Sequence, residues 1–264
     1  MGDPSLTIDL SRKKLFLFDL DGVLLRGREA PVKIGGTRIF EKIRSQGKKL
    51  TVVTNNSTDA LATVLKRLNA QGIAVEKDEV LSSARVTAEY IAKRYGKATY
   101  FLVGERGFAE ELDSVGLRRT WGKKADLVAI GLDRRLTYAK LNRAVLLAKG
   151  GADIVANHPA MIYMSTRGPA ITVGPILKAV EHGAGKRGVA VGKPSPHMFE
   201  VAMKRAGCTK KETVMIGDQE DTDIEGARRA GIDSILVLTG VYDGKTRSRA
   251  TAVIGSVDEL ADLI

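Results

Sequence analysis

Residues 15–25 read LFLFDLDGVLL, an apolar run broken only by Asp19 and Asp21, which stand one residue apart and are followed by Gly22. A strand covered on both faces is written as a continuous apolar stretch, as in a parallel sheet flanked by helices. Read this way, the run is such a strand and the two carboxylates sit where the chain leaves it. Taken alone, Asp-x-Asp-Gly after a strand is a turn, because aspartate bonds its own backbone there. What separates a turn from a site is whether other strands end in a matching way.

Short runs rich in β-branched residues recur along the chain: KLFLFDL (14–20), KLTVVTN (49–55), TYFLVG (99–104), ADLVAIGL (125–132), ADIVAN (152–157), GVAVGK (188–193), TVMIGD (213–218) and SILVLTG (234–240). Between them lie amphipathic segments such as STDALATVLKRLNAQG (57–72) and HMFEVAMKRAGC (197–208), with apolar residues at three- and four-residue spacing and a glycine near the end. Glycine in that position caps helices. Strands alternating with helices predict an α/β fold with a mainly parallel sheet.

In such sheets a ligand site lies beyond the carboxyl ends of the strands. Here those ends are Asp19-Leu20-Asp21-Gly22, Thr54-Asn55-Asn56-Ser57, Gly192-Lys193-Pro194, and Gly217-Asp218 followed by Asp223. Clustered carboxylates raise one another's pKa unless a cation sits among them, and an oxygen-lined site suits Mg²⁺. The acidic run from Asp218 is not a calcium loop, since its sixth position is Asp223 rather than glycine. Thr54 and Asn55 offer hydrogen-bond donors and Lys193 a positive charge, and donors and cations around a divalent metal are what a phosphoryl group requires. One carboxylate of the Asp19/Asp21 pair can then attack phosphorus while the other protonates the leaving oxygen and afterwards activates water.

FDLDGVL (18–24), VVTNNS (52–57), GKPSPHMF (192–199) and IGDQEDTDI (216–224), in that order, resemble the four motifs of the haloacid dehalogenase superfamily. LTVVTNNST, LVGERGFAEEL, GLDRRLTYAKL and LVLTGV resemble its NagD-like branch of p-nitrophenyl, phosphoglycolate and pyridoxal phosphate phosphatases. The resemblance spans nearly the whole chain and implies a Rossmann-like parallel-sheet core with a large inserted α/β cap. It implies Asp19 as nucleophile and Mg²⁺ ligand, and Asp21 as general acid/base and Mg²⁺ ligand through its carbonyl. Thr54 and Asn55, with Asn56 beside them, would hold the phosphoryl group. Lys193 would neutralise nucleophile and phosphate, Asp218 would bind Mg²⁺, and Asp223 would stand behind it at the metal. The substrate implied is a small phosphorylated metabolite: a sugar phosphate, phosphoglycolate, glycerol phosphate or p-nitrophenyl phosphate. A phosphomutase or phosphotransferase shares the phosphoenzyme, and a non-catalytic phosphate-binding module remains a further alternative. Caps of this class also imply a homodimer.

More residues separate the second and third motifs than one sheet connection needs, so an insertion is expected over 83–187, with 1–82 and 188–264 forming the core. The insertion holds 18 Lys and Arg against 9 Asp and Glu, a net +9 of the chain's +11. A basic insertion draws anionic substrate inward. Its stretch 155–181, VANHPAMIYMSTRGPAITVGPILKAVE, departs from the family's usual Ala-Thr-Asn-Pro-Asp pattern: Asn157 is kept, but the acidic residue is lost near Ala160. Asn157, His158, Tyr163 and Arg167 are the candidate substrate contacts there.

The remaining composition narrows the class. No apolar run of the 264 residues nears the ~18 needed to span a bilayer, so no membrane partner is expected. A single Cys208 excludes an internal disulfide framework, and the start MGDPSLTIDLSRKK lacks an apolar signal core, so a cytoplasmic protein is expected. The sequence pI near 9.7 raises nucleic acid as a partner, but aromatics are 5% and no recognition helix, zinc spacing or RNA-binding signature occurs, so none is expected.

Overall fold

The structure is a computed structural model that describes residues 8–27, 30–165, 168–242, 244 and 247–264. The chain first lays down β1 (Leu15–Phe18), the short strands β2 (Leu25–Arg26) and β3 (Val32–Lys33), α1 (Thr37–Ser45), β4 (Lys49–Thr54), α2 (Leu61–Ala70) and β5 (Val80–Ser82). Next come α3 (Ser83–Tyr95), β6 (Thr99–Val103), α4 (Arg106–Ser114), β7 (Arg118–Arg119), β8 (Leu127–Ile130), α5 (Tyr138–Lys149) and β9 (Asp153–Ala156). A hairpin, β10 (Ile162–Ser165) with β11 (Gly168–Ile171), leads to α6 (Val173–Ala184), β12 (Val189–Ala190) and α7 (His197–Ala206). The chain closes with β13 (Thr213–Gly217), α8 (Glu225–Ala230), β14 (Asp233–Val237) and β15 (Ala252–Ile254).

Two compact units result. The first holds residues 1–54, 65–81 and 199–264. Its six-stranded sheet runs β15-β14-β13-β1-β4-β5. β1 lies between β13 and β4, parallel to both, with Phe18 opposite Ile216 and Val52. All four β1 side chains are fully buried, and each is worth about 1.5–3 kcal/mol on leaving water. This is why a continuous apolar run marks the central strand. Phe18 meets Phe40 of α1 with ring centroids 5.0 Å apart.

The second unit holds residues 55–64 and 82–198. Its five-stranded sheet, β12-β9-β8-β6-β7, is again parallel. α5 and α6 pack over a core that includes Phe101, Val128, Ile130, Ile154 and Val180. Segment 55–64 belongs here because its polar groups are used here: Ser83 Oγ donates to the Asn55 carbonyl at 3.0 Å, Gly107 N–H to the Thr58 carbonyl at 3.2 Å, and Leu132 N–H to Ser57 Oγ at 3.4 Å.

The expected α/β architecture is present, and every run read as a strand contains one. One expectation is corrected. From the sequence, the strand before Lys193 is expected to end at the same sheet edge as β1, β4 and β13. β12 instead pairs with β9, Val189 opposite Val155 and Ala190 opposite Ala156. Among the described residues no helix is long and apolar enough to cross a membrane.

Candidate active site

In the first unit three carboxylates meet. Asp19 directly follows β1 and Asp218 directly follows β13, its neighbour in the sheet, so parallel register delivers both to the same edge. Asp19 N–H donates to the Ile216 carbonyl at 2.9 Å, carrying the ladder one residue past the strand. Asp223 arrives on a π turn, Glu220–Ile224, in which the Ile224 N–H reaches back five residues to the Gln219 carbonyl at 3.2 Å. Such wide turns are rare and concentrate at functional sites. Gln219 N–H donates to Asp223 Oδ2 at 3.2 Å, which turns the carboxylate back toward β13. Asp19, Asp218 and Asp223 are all buried, and one oxygen of each lies within 4.8 Å of the others.

The backbone is cut away to admit them. Gly22 sits at φ +92°, and a Cβ there would land on the Asp218 carboxylate. Gly240, just after β14, would overlap the same carboxylate. Val241 N–H donates to Asp218 Oδ2 at 3.0 Å, and Thr239 Oγ1 donates to the Gly22 carbonyl at 2.6 Å. Three carboxylates held this close and this dry repel strongly, and hard oxygen donors in such a cluster suit a divalent cation of the Mg²⁺ kind. The donor set therefore fits a metal.

Asp21 is half exposed, and Arg67 brings its guanidinium to 3.6 Å from its carboxylate. Thr54 is the last residue of β4 and is buried.

The other candidates lie in the second unit. Lys193 is only 1% exposed. Asn55 pairs with its main chain, accepting from Lys193 N–H and donating to the Lys193 carbonyl, each at 3.0 Å. Asn56 closes a local turn: Oδ1 accepts from the N–H groups of Thr58 and Asp59 at 3.0 and 3.1 Å, and Nδ2 donates to Asp59 at 2.8 Å. Asn157 follows β9 and is fully buried; its main chain bonds to Ile130 and Gly192, while its side-chain amide has no hydrogen-bond partner among the described residues. His158 is buried beside it in sequence. Tyr163, on the hairpin, packs against the unit's core. Arg167 lies outside the described residues.

Comparison with known proteins places this arrangement. Residues 16–118 match the haloacid dehalogenase-like hydrolases, and 190–263 a second HAD-like hydrolase family. The chain is 34% identical to the acid sugar phosphatase of Staphylococcus saprophyticus, over 86% of this chain and 87% of that one. The chain belongs to the haloacid dehalogenase superfamily. Sugar-phosphatase AraL of Bacillus subtilis is also 34% identical, over 85% and 82% of the two chains. The 4-nitrophenylphosphatase of Thermotoga maritima superposes with a TM-score of 0.89 at 30% identity, over 96% of this chain and 98% of that one. Within the superfamily this protein is a phosphatase of the NagD-like branch.

Several groups around the superfamily cluster escape motif reading. Arg67 beside Asp21 comes from inside α2, where a charge reads as solvated helix surface. Gly240 and Val241 carry no chemistry in their side chains, although they follow a strand end, which is the signal that finds them. Glu225, next after the π turn, accepts from Arg228 and Arg229 at 2.7–2.8 Å and from Arg249 at 3.1 Å. The Arg228 hydrogen bonds, then that of Arg229, hold its carboxyl down to about 2.

Proposed function

We propose that this chain is a Mg²⁺-dependent phosphatase of small phosphate monoesters, working through an aspartyl-phosphate on Asp19. The observation that carries the reading is the buried cluster of Asp19, Asp218 and Asp223. An Asp19 oxygen attacks phosphorus, the bond from phosphorus to the leaving oxygen breaks, and Asp21 gives that oxygen a proton. Asp21 then takes a proton from water, whose oxygen attacks the acyl phosphate, returning the Asp19 carboxylate and inorganic phosphate. The half-exposed Asp21 suits exchange of protons with solvent. Asp19, the Asp21 carbonyl and Asp218 would hold Mg²⁺, with Asp223 bracing the site. A bound Mg²⁺ would neutralise the clustered acids and draw charge from the phosphoryl oxygens. Thr54 would hold a phosphoryl oxygen. Lys193, only 1% exposed, would neutralise phosphate and nucleophile.

In the same reading 1–82 and 188–264 form the catalytic core and 83–187 the cap, whose excess of positive charge favours anionic substrates. The activities for which the relatives are named point to sugar phosphates, with 4-nitrophenyl phosphate as a generic substrate. A cytoplasmic homodimer completes it. Ile162 and Ile171, paired directly across the hairpin and more than half exposed, offer apolar surface for a second copy, and light scattering of the purified protein reads the mass.

The test is release of inorganic phosphate from a panel of phosphorylated metabolites in Mg²⁺, with no acceptor present. Release from one group of sugar phosphates well above the rest supports the reading. Phosphoryl transfer that appears only when an acceptor is added replaces it with a phosphotransferase, and no turnover of any monoester overturns it.

A further inference from the structure

Both polar atoms of the Asn55 side chain meet one residue. Oδ1 accepts from Lys193 N–H and Nδ2 donates to the Lys193 carbonyl, each at 3.0 Å. A main-chain N–H only donates and a carbonyl only accepts, so this pairing fixes which way round the carboxamide stands. The side chain imitates a rung of a β ladder, formed with Lys193 beyond the end of β12.

The two partners are held in turn. Ser83 Oγ, at the buried start of α3, donates to the Asn55 carbonyl at 3.0 Å. Gly192 N–H donates to the Asn157 carbonyl at 2.6 Å. There is no room for a side chain at Gly192: a Cβ would come within 2.5 Å of the Asn157 carbonyl oxygen, 2.7 Å of Asn55 Oδ1 and 2.9 Å of Ser83 Cβ. Residues 192–193 are thus pinned from several directions by groups that are not themselves charged.

We propose that Asn55 is a positioning residue for Lys193, fixing the main chain from which the lysine extends, and is not a group that grips the phosphoryl oxygens. The inference rests on the phosphatase reading above, in which the Lys193 ammonium meets phosphate. A lysine is a point charge on a flexible four-carbon stem, so the volume its ammonium samples depends on how firmly the root is held. Phosphoryl transfer depends on placement of charge, and a misplacement near 1 Å can cost about a hundredfold.

The test is a double-mutant cycle on hydrolysis of 4-nitrophenyl phosphate in Mg²⁺ with wild type, Asn55→Ala, Lys193→Met and the double variant. If Asn55 acts through Lys193, Asn55→Ala lowers kcat/KM by about tenfold to a hundredfold in the wild type, and by less than about twofold once the ammonium is gone. An equal loss in both backgrounds places Asn55 on the substrate and overturns the proposal, as does wild-type turnover by Asn55→Ala. Gly192→Ala keeps the read-out available if Lys193→Met falls below detection. Its methyl group wedges the pair apart, so it should reproduce the Asn55→Ala loss and speed hydrogen exchange at the Lys193 amide. Gly192→Ala with wild-type turnover and an equally protected amide also overturns the proposal. Full turnover by Lys193→Met would overturn it too, by taking Lys193 off the phosphate, whereas no turnover of any phosphate monoester by the wild type would defeat the phosphatase reading itself, so the two failures are told apart.

Discussion

Val241 N–H reaches Asp218 Oδ2 across 3.0 Å, so the loop after β14 completes the acidic pocket from its uncharged first residues, 238–241. With Gly240 beside it, the loop presses its backbone against a carboxylate that is fully buried. Asp218 is therefore held by shape as well as by its hydrogen bond.

Gly240→Ala tests this. A methyl group there overlaps Asp218, and relieving such an overlap in a packed interior costs about 1–3 kcal/mol. A lower thermal unfolding midpoint is expected, together with a fall in phosphatase turnover, because the carboxylate has to leave the cluster. Unchanged stability and turnover would mean that Asp218 is free to swing aside.

Asp19→Asn should abolish turnover of every phosphate monoester while leaving the unfolding midpoint near that of the wild type, because an amide neither attacks phosphorus nor binds a metal comparably. Asp21→Asn should lose about 10²-fold or more, the worth of a placed acid/base group. Substantial turnover by Asp19→Asn would remove the aspartyl-phosphate from the mechanism; wild-type rates in Asp21→Asn would leave Asp21 a turn residue held by Arg67.

The acids of this pocket stand out in the sequence because burial on both faces leaves β1 and β13 as unbroken apolar runs, and a polar residue ending such a run has to have a use. Other features leave no such trace. β12 is two residues long, and Val189–Ala190 contains nothing that says which sheet it joins. The grouping of 55–64 with 82–198 depends on contacts such as Ser57 Oγ with Leu132 N–H, between residues with no periodic relation. A single π turn is too short to print a period, so 220–224 reads only as acidic. Nor does the sequence reveal that the Asn55 amide bonds to the backbone of Lys193, 138 residues away.

Metal removal offers an independent check. With Asp19, Asp218 and Asp223 clustered, chelation by EDTA should end activity and Mg²⁺ should restore it, while Ca²⁺, with its larger and looser coordination shell, should inhibit. Without the cation the buried acids repel one another, so EDTA should also lower the unfolding midpoint of wild type more than that of Asp218→Asn, which carries one charge fewer. Full activity in chelator would contradict the metal site.

Acid should reach the site through Glu225. This residue opens α8 directly after the turn that carries Asp223, is 8% exposed, and is gripped by Arg228, Arg229 and Arg249. The hydrogen bonds from Arg228 and then Arg229 hold its carboxyl at about 2, against an ordinary 4.5. Between these values the unfolded chain binds a proton that the folded chain refuses, so the stabilisation is complete above about 4.5 and drains away as pH falls toward about 2. Glu225→Gln stays neutral throughout and has no such stabilisation to lose. Wild type should therefore unfold at a higher temperature than Glu225→Gln at pH 7, by a margin that holds down to about pH 5 and narrows below it. Turnover should follow, since loosening the start of α8 frees the π turn and with it Asp223. A margin as wide at pH 3 as at pH 7 would mean that the arginines do not hold this carboxylate, and that acid loss of activity has another source.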